Sequence, residues 1–228
     1  MGGRGSGSGF RAGGSNPTAS AARQPRSEYE TFTDSTKAAD ALGWTNGGET
    51  DLWLGQLTQS EENELTDYTD EGYQAINNAL RDFRLMTEDI EDKTWTIDRA
   101  IGKFNLAQGI TTHRGVGADA LGLPRGASIA QILAKAQSLI GGEIVDRAYA
   151  SAGVTMLPLS RGALAQTPII MHIQTPAGKG HGAFIAPVSV YQEDEFIYPR
   201  GSHFQITGAR IEGGKVHIDA RWTHRSTD

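Results

Sequence analysis

The chain has 228 residues, a length that fits one domain with a substantial buried core, with or without a tail. It contains no cysteine, so disulfides and thiolate metal sites are excluded. Its 27 acidic and 21 basic residues give a formal net charge of −6, so attraction of the whole molecule to nucleic acid is not expected.

The first segment, residues 1–27, is dominated by Gly, Ser and Ala and carries arginines but no acidic residue. Such a segment cannot repay its ordering entropy by burial, so we predict a disordered tail. A basic arm can contact nucleic acid or a capsid, and a solubilising linker is the alternative. Residues 28–52 have a mixed pattern and are predicted to form an irregular linker.

The folded domain is predicted to span residues 53–228 and to begin with helices. Thr58–Glu61 spells a capping box, which predicts a helix start. A second helix is expected from about Asp70, and the two are predicted to form a hairpin. A further amphipathic helix is predicted over residues 90–107, and Ser128 is predicted to cap another.

The second half of the chain has the patterns of strands. Gly109–Gly115 is β-branched and closed by glycines, so it predicts a strand that delivers Arg114 to a site. An arginine there can clamp a phosphate with two parallel hydrogen bonds, and a surface arginine paired with an acid is the alternative. Residues 146–155 predict a strand with small residues at its centre, on which Ser151 is expected to hydrogen-bond. A GxGxxA fingerprint at residues 115–120 lacks the following helix that a dehydrogenase needs.

Glu193 and Glu195 are the main candidates for chemistry. Residues alternate faces along a strand, so these two side chains are expected on one face, with origins roughly 7 Å apart. Paired carboxylates suit chemistry at a sugar carbon. Phe196–Tyr198 would anchor them to a sheet, and a solvated strand end is the alternative. The six histidines show no metal-ligand spacing, so we predict no metal site and interpret them as surface or core residues.

A helical first half, then Arg114, Ser151 and a Glu-x-Glu pair on successive strands, resembles the arginine-type mono-ADP-ribosyltransferase exotoxins. The similarity covers roughly residues 53–222, and residues 68–81 resemble the family's helical nicotinamide-side segment. It implies an α+β fold, with a helical N-terminal half packed on a two-sheet β-sandwich core. Two features depart from the family pattern. The Ser-Thr-Ser motif is Ser151-Ala152-Gly153, and no stacking aromatic is evident after it.

The resemblance implies that NAD+ is the substrate and that no metal is needed. Arg114 would hold the pyrophosphate, and Ser151 would fix the rotamer of Glu195. Glu195 would stabilise the oxocarbenium ion as nicotinamide leaves, and Glu193 would orient a protein acceptor, predicted to be an arginine side chain. The expected catalytic residues are Glu195, Glu193, Ser151 and Arg114, and the expected NAD+ contacts are Arg114, Gly115, Ser151, Tyr73, Asn77 and Glu195.

The Gly-rich opening is similar to those of transferase-like proteins encoded beside phage head genes, which suggests a phage or prophage origin. The implied partners are NAD+ and a host protein, with a phage head or DNA contact through the basic tail. No apolar stretch approaches the ~20 residues that cross a bilayer, and no signal peptide is evident, so we expect no membrane partner. The expected site of action is the host cytoplasm, reached in a virion or by specialised export. The alternatives are a catalytically weak or inactive phage head protein and an NAD glycohydrolase.

Overall fold

The structure is a computed structural model that describes residues 28–160, 162–191 and 194–223. The predicted tail, residues 1–27, and Glu193 lie outside the described residues. The helices are α1 (Ser35–Ala41), α2 (Glu49–Leu54), α3 (Gln59–Asp67), α4 (Tyr73–Arg81), α5 (Glu88–Lys103) and α6 (Ile129–Ser138). The strands are β1 (Tyr29–Thr31), β2 (Asn105–Leu106), β3 (Gly109–Val116), β4 (Glu143–Asp146), β5 (Ala150–Gly153), β6 (Ile169–Thr175), β7 (Gly178–Lys179), β8 (Ala183–Phe184), β9 (Glu195–Tyr198), β10 (Ser202–Glu212) and β11 (Lys215–Thr223).

Residues 28–52 differ from the predicted irregular linker. They include β1, which pairs in parallel with β3, and helix α1, which is capped by Asp34. Ala38 and Leu42 are buried in the main core, 0% and 3% exposed. Because these apolar residues are few and have no helical or strand period, only their tertiary contacts assign them to the domain.

Two helices start at the caps that the sequence predicts, and the connection after the first of them differs from the prediction. Thr58 and Glu61 form the predicted capping box at the start of α3, and Ser128 caps α6 in the same way. The predicted hairpin is wrong, because a π-helical segment, Tyr68–Gly72, joins α3 to α4 with right-handed helical dihedrals throughout. A side chain at Gly72 would lie 2.8 Å from the carbonyl oxygen of Asp67, so this wide turn requires glycine.

In the described part of the chain, eight strands form one hydrogen-bonded path, in the order β4-β10-β11-β6-β3-β5-β9-β8. Strand β1 pairs with β3 beside this path, and β2 and β7 form a separate two-stranded sheet. Every residue of β3 from Ile110 to Val116 pairs with β6, whereas β3 meets β5 only at His113 and Gly153. The path therefore divides into a larger part, β4-β10-β11-β6-β3, and a smaller part, β5-β9-β8. Tyr198 of β9 links the two parts, since its hydroxyl lies 2.6 Å from both Thr112 Oγ1 and Thr175 Oγ1. The α+β class is confirmed.

Helix α5 packs against this framework and supports the start of β5. The hydroxyl of Tyr149 lies 2.9 Å from the carbonyl oxygen of Thr94 and 2.7 Å from Asp98 Oδ1, so these two acceptors share its one proton. Trp53, 1% exposed, donates its indole N–H to the carbonyl oxygen of Ala100. The helical half is thus fixed to the sheet by buried polar contacts as well as by apolar packing. No helix in the described part of the chain is both long enough and apolar enough to span a bilayer.

Candidate active site

Arg114 lies where the two parts of the sheet separate. Its Nη1 donates to the carbonyl oxygen of Ser151 on β5 at 2.8 Å, and its Nη2 donates to Asp146 Oδ2 at 3.0 Å. The side chain is only 18% exposed, and this burial lowers the pKa of the guanidinium, which the charge of Asp146 opposes. An arginine still stays protonated in proteins, so the site carries a fixed positive charge.

Ser151 and Glu195 lie on one face of the smaller part of the sheet. In the β5–β9 register, Ser151 pairs with Ile197 and Gly153 pairs with Glu195, so the side chains of Ser151 and Glu195 are diagonal neighbours. Both are partly exposed, and both line the same cleft. The cleft is lined by His113, Arg114, Gly115, Ser151, Ala152, Gly153, Pro158, Leu159, Leu164 and Glu195.

Four of the residues predicted for the site therefore meet in this cleft: Arg114, Gly115, Ser151 and Glu195. Two glycines shape it. A Cβ on Gly115 would lie 2.7 Å from Thr167 Oγ1, and one on Gly153 would lie 2.6 Å from the carbonyl oxygen of Thr155. The second contact gives a physical reason for the departure from Ser-Thr-Ser, because this backbone leaves no room for a side chain at position 153.

Asp194, between the two candidate acids, has an anchoring role that the sequence did not suggest. The hydroxyls of Ser35 and Thr155 both donate to its Oδ2, the latter at 2.9 Å. Its carbonyl oxygen accepts from the N–H of Val154 at 2.8 Å. Asp194 thus fixes the backbone immediately before Glu195 to both α1 and the segment after β5.

The chain leading into the acidic segment is tied to the helices. The N–H of Val190 donates to Thr69 Oγ1 at 3.1 Å, and Thr66 Oγ1 donates to the carbonyl oxygen of Val188 at 3.1 Å. Thr69 belongs to the π-helical segment between α3 and α4, a kind of distortion that often occurs at functional sites. Contacts on both sides therefore position Glu195 on a strand of only four residues.

A second, larger cavity adjoins the cleft and shares Arg114 and Gly115 with it. Arg81, at the end of α4, also lines it, and its Nη2 donates to Asp146 Oδ1 at 3.1 Å and Oδ2 at 3.2 Å. One carboxylate therefore holds two guanidinium groups. Arg81 was absent from the predicted site residues, although it ends the segment that carries the helical part of the resemblance.

Tyr73 and Asn77, the other predicted NAD+ contacts, do not line either cavity. Asn77 is buried, where it donates to the hydroxyl of Tyr68 at 3.0 Å and accepts from the N–H of Tyr149 at 3.2 Å. Tyr73 is 43% exposed, and its hydroxyl accepts from Gln74. A role for either in NAD+ binding stays a prediction.

Tyr68 is the aromatic side chain of this helical segment that lies near the site. Burial raises the pKa of its hydroxyl, and the charge of Glu195 raises it further, while the hydrogen bond from Asn77 and the charge of Arg114 oppose this. The phenol therefore stays protonated at neutral pH. Asn77 is buried with both ends of its amide satisfied, by the hydroxyl of Tyr68 and the N–H of Tyr149.

The family model for the ADP-ribosyltransferase exoenzyme matches residues 43–224. No curated protein sequence gave a significant match.

Three solved structures illustrate the likeness in fold. Plx2a, an ADP-ribosyltransferase toxin from Paenibacillus larvae, is 23% identical with a TM-score of 0.73, covering 86% of this chain and 100% of its own. C3stau2 from S. aureus, determined with NAD, is 19% identical with a TM-score of 0.68, covering 87% of this chain and 100% of its own. BECa of C. perfringens, an ADP-ribosylating toxin determined with NADH, is 23% identical with a TM-score of 0.74, covering 86% of this chain and 50% of its own. The family model spans most of the chain, and the chain therefore belongs to the ADP-ribosyltransferase exoenzyme family.

Proposed function

We propose that this protein transfers ADP-ribose from NAD+ to an arginine side chain of a host protein and releases nicotinamide. The observation that carries the proposal is the meeting of Arg114, Ser151 and Glu195 in one cleft, from strands that are distant in sequence. The larger cavity beside it, lined by Arg81 and Arg114, provides room for the rest of a dinucleotide. Family membership supports the same reaction class.

The two arginines suit the pyrophosphate. A guanidinium presents two parallel N–H donors to phosphate oxygens, and two such groups can balance the two negative charges of a pyrophosphate. In the structure both face Asp146, whose carboxylate keeps them close together. Pyrophosphate binding would exchange some of these contacts for phosphate contacts, so Asp146 pre-positions the pair before the substrate arrives.

Glu195 is assigned to the charge that develops on the ribose. As the bond between ribose C1′ and the pyridinium nitrogen breaks, its electron pair goes to nicotinamide and the sugar becomes cationic. A carboxylate already fixed next to that carbon stabilises the cation without reorganising. Ser151, its diagonal neighbour, would hold its rotamer.

Glu193 is assigned to the acceptor. In the resemblance described above, an acid two residues before the catalytic glutamate goes with arginine acceptors. A guanidinium has a pKa above ~12, so Glu193 would orient it and take its proton only as the new bond to C1′ forms. The anchor at Asp194 supports this role by fixing the backbone between the two glutamates.

Labelled NAD+ and a mixture of host proteins test the proposal directly. The wild-type protein should label arginine side chains, located by mass spectrometry, and release nicotinamide in equal amount. Glu195→Gln should abolish both signals, Glu193→Gln should abolish labelling alone, and Glu212→Gln, on the distant β10–β11 hairpin, should change neither.

Two other outcomes would contradict the proposal. Nicotinamide release without labelled protein would indicate an NAD glycohydrolase, in which water replaces the acceptor. Neither signal would indicate an inactive structural protein, such as one bound to a phage head through residues 1–27. Labelling at a residue other than arginine would keep the transferase and reject the acceptor.

A further inference from the structure

Three histidines form a hydrogen-bonded row on adjacent strands of the larger part of the sheet. His113 of β3 pairs directly with His172 of β6, and their Nδ1 atoms are 2.9 Å apart. His172 Nε2 lies 2.8 Å from Nδ1 of His217 on β11, and these two rings stack. The nitrogens meet in pairs rather than around a point, and no group of three ligands in the described ranges could hold a metal ion.

The row ends at a nitrogen with unmet bonding capacity. Nε2 of His113 is buried and has no hydrogen-bond partner among the described residues. The residue is 3% exposed and lines the same cleft as Glu195. A buried polar group without a partner costs about 1–3 kcal/mol, so a ligand that supplies the partner gains from it.

Neutral imidazoles can satisfy both bonds of the row in two ways, because each bond needs one N–H and one lone pair. If His113 donates to His172, its Nε2 carries a lone pair. If the protons all shift the other way, Nε2 carries a hydrogen. The two inner bonds are kept in both cases, so Nε2 of His113 can be either a donor or an acceptor.

We propose that Nε2 of His113 hydrogen-bonds the carboxamide of the nicotinamide group, and that His172 and His217 position it by setting its tautomer. The inference rests on the proposed function, because Glu195 at the reacting ribose brings the attached nicotinamide into this cleft. A carboxamide has both an N–H donor and a carbonyl acceptor, so it matches either state of the row.

The cleft also fits the shape and charge of the ring. Pro158, Leu159 and Leu164 provide apolar walls, and Gly115 and Gly153 add no side chains, so a flat aromatic group has room. The pyridinium of NAD+ is cationic, and a charged imidazole would repel it. Burial, with a smaller effect of the neighbouring histidines, lowers the pKa of His113 to about 4, so its ring is neutral at physiological pH.

The first experiment uses His113→Phe, which keeps an aromatic ring and removes both nitrogens. The KM for NAD+ and the inhibition constant of free nicotinamide should each rise roughly 3- to 10-fold, the value of one hydrogen bond. The melting temperature should change little, because the variant loses the hydrogen bond to His172 but also removes a buried nitrogen without a partner. His203→Phe, whose histidine pairs with Glu143 at the far side of the sheet, should leave both constants unchanged.

The second experiment reads the tautomer. Saturating nicotinamide should shift the ¹⁵N resonance of His113 Nε2 in the wild-type protein. His217→Phe should change the resting His113 resonances and weaken nicotinamide inhibition, whereas His217→Gln, whose amide can donate and accept, should restore both. A merely structural role of the row would change stability and leave the resonance unmoved by nicotinamide.

These results separate the two proposals. A wild-type protein that neither binds NAD+ nor releases nicotinamide would overturn the proposed function. An active wild-type protein together with a His113→Phe variant of unchanged KM and inhibition constant would overturn this inference alone.

Discussion

The two parts of the sheet hold their functional side chains in different ways. In the larger part, β3 is paired with β6 along almost its whole length, and Arg114 and His113 project from this continuous ladder. In the smaller part, β5 and β9 have four residues each, and Glu195 is the first residue of its strand. In the smaller part, hydrogen bonds from the side chains of Ser35 and Thr155 to Asp194 hold the strand in place. In the larger part, the long run of backbone pairing does so.

Under the proposed function, binding and chemistry are placed on scaffolds of different regularity. Arg114, proposed to hold the pyrophosphate, and the histidine row need a fixed position, which long strands give. The segment that carries Glu195, proposed to be catalytic, needs both a fixed carboxylate and an approach for a large acceptor. A short strand at the edge of the site, held by a few hydroxyl groups, meets both needs.

The largest expected effect on activity comes from neutralising Glu195 in the smaller part of the sheet. Glu195→Gln should lower kcat for nicotinamide release roughly 1,000-fold, since it removes the carboxylate next to the cationic ribose. NAD+ affinity, measured by calorimetry, should change little, because the larger part supplies the phosphate contacts. Lost affinity with retained turnover would reverse the proposed division between the two parts.

Low pH should lower the stability of the larger part of the sheet, since the histidine row lies entirely within it. Burial depresses the pKa of His113 to about 4 and lowers that of His172, while the unfolded chain binds protons near pH 6.5. The stability from keeping His113 neutral is therefore complete above about pH 6.5 and is lost progressively as the pH falls toward 4, on the order of 3 kcal/mol.

Urea denaturation at pH 7.5, 5.5 and 4.5 measures this loss. The row faces Asp219 of β11 and Arg210 and Glu212 of β10, and these three residues are kept in every variant of this test. His113→Phe should flatten the dependence, whereas His203→Phe should keep it. If the free energy of unfolding of His113→Phe falls with pH as steeply as that of the wild type, other groups cause the loss of stability in acid.

The junction between the two parts can be weakened by Arg114→Lys. Lysine keeps a positive charge but cannot bond Ser151 and Asp146 together while also clamping a phosphate. The KM for NAD+ should rise roughly 10- to 100-fold, as expected for lost hydrogen bonds to charged groups. Arg200→Lys, on an arginine paired with Asp98 outside both cavities, is the matched control and should leave KM unchanged.

The smallest effect is expected from the anchor of the smaller part. Thr155→Val removes the hydroxyl that donates to Asp194 with little change of shape, and it should cost about 1 kcal/mol of stability. It should also lower kcat a few-fold, because Glu195 is less well positioned. Thr155→Ser keeps the hydroxyl and should behave like the wild type, so equal losses in both variants would reject the anchoring role.

Local features of this protein were predictable because their causes lie within a few residues. The capping boxes at Thr58 and Ser128 act over three positions, and both occur where predicted. The strand pattern placed Arg114 on β3 and Ser151 on β5. The resemblance, which depends on the order of such features, pointed to the family that the match over residues 43–224 supports.

Only the tertiary structure decided which of these side chains meet. The bond from Arg81 to Asp146 and the row through His113, His172 and His217 join positions 45 to 65 residues apart. Such pairs depend on strand order and on a register in which one residue of slip would turn every side chain to the other face. Local sequence carries the periods and caps of each element, whereas burial and register decide which elements become neighbours.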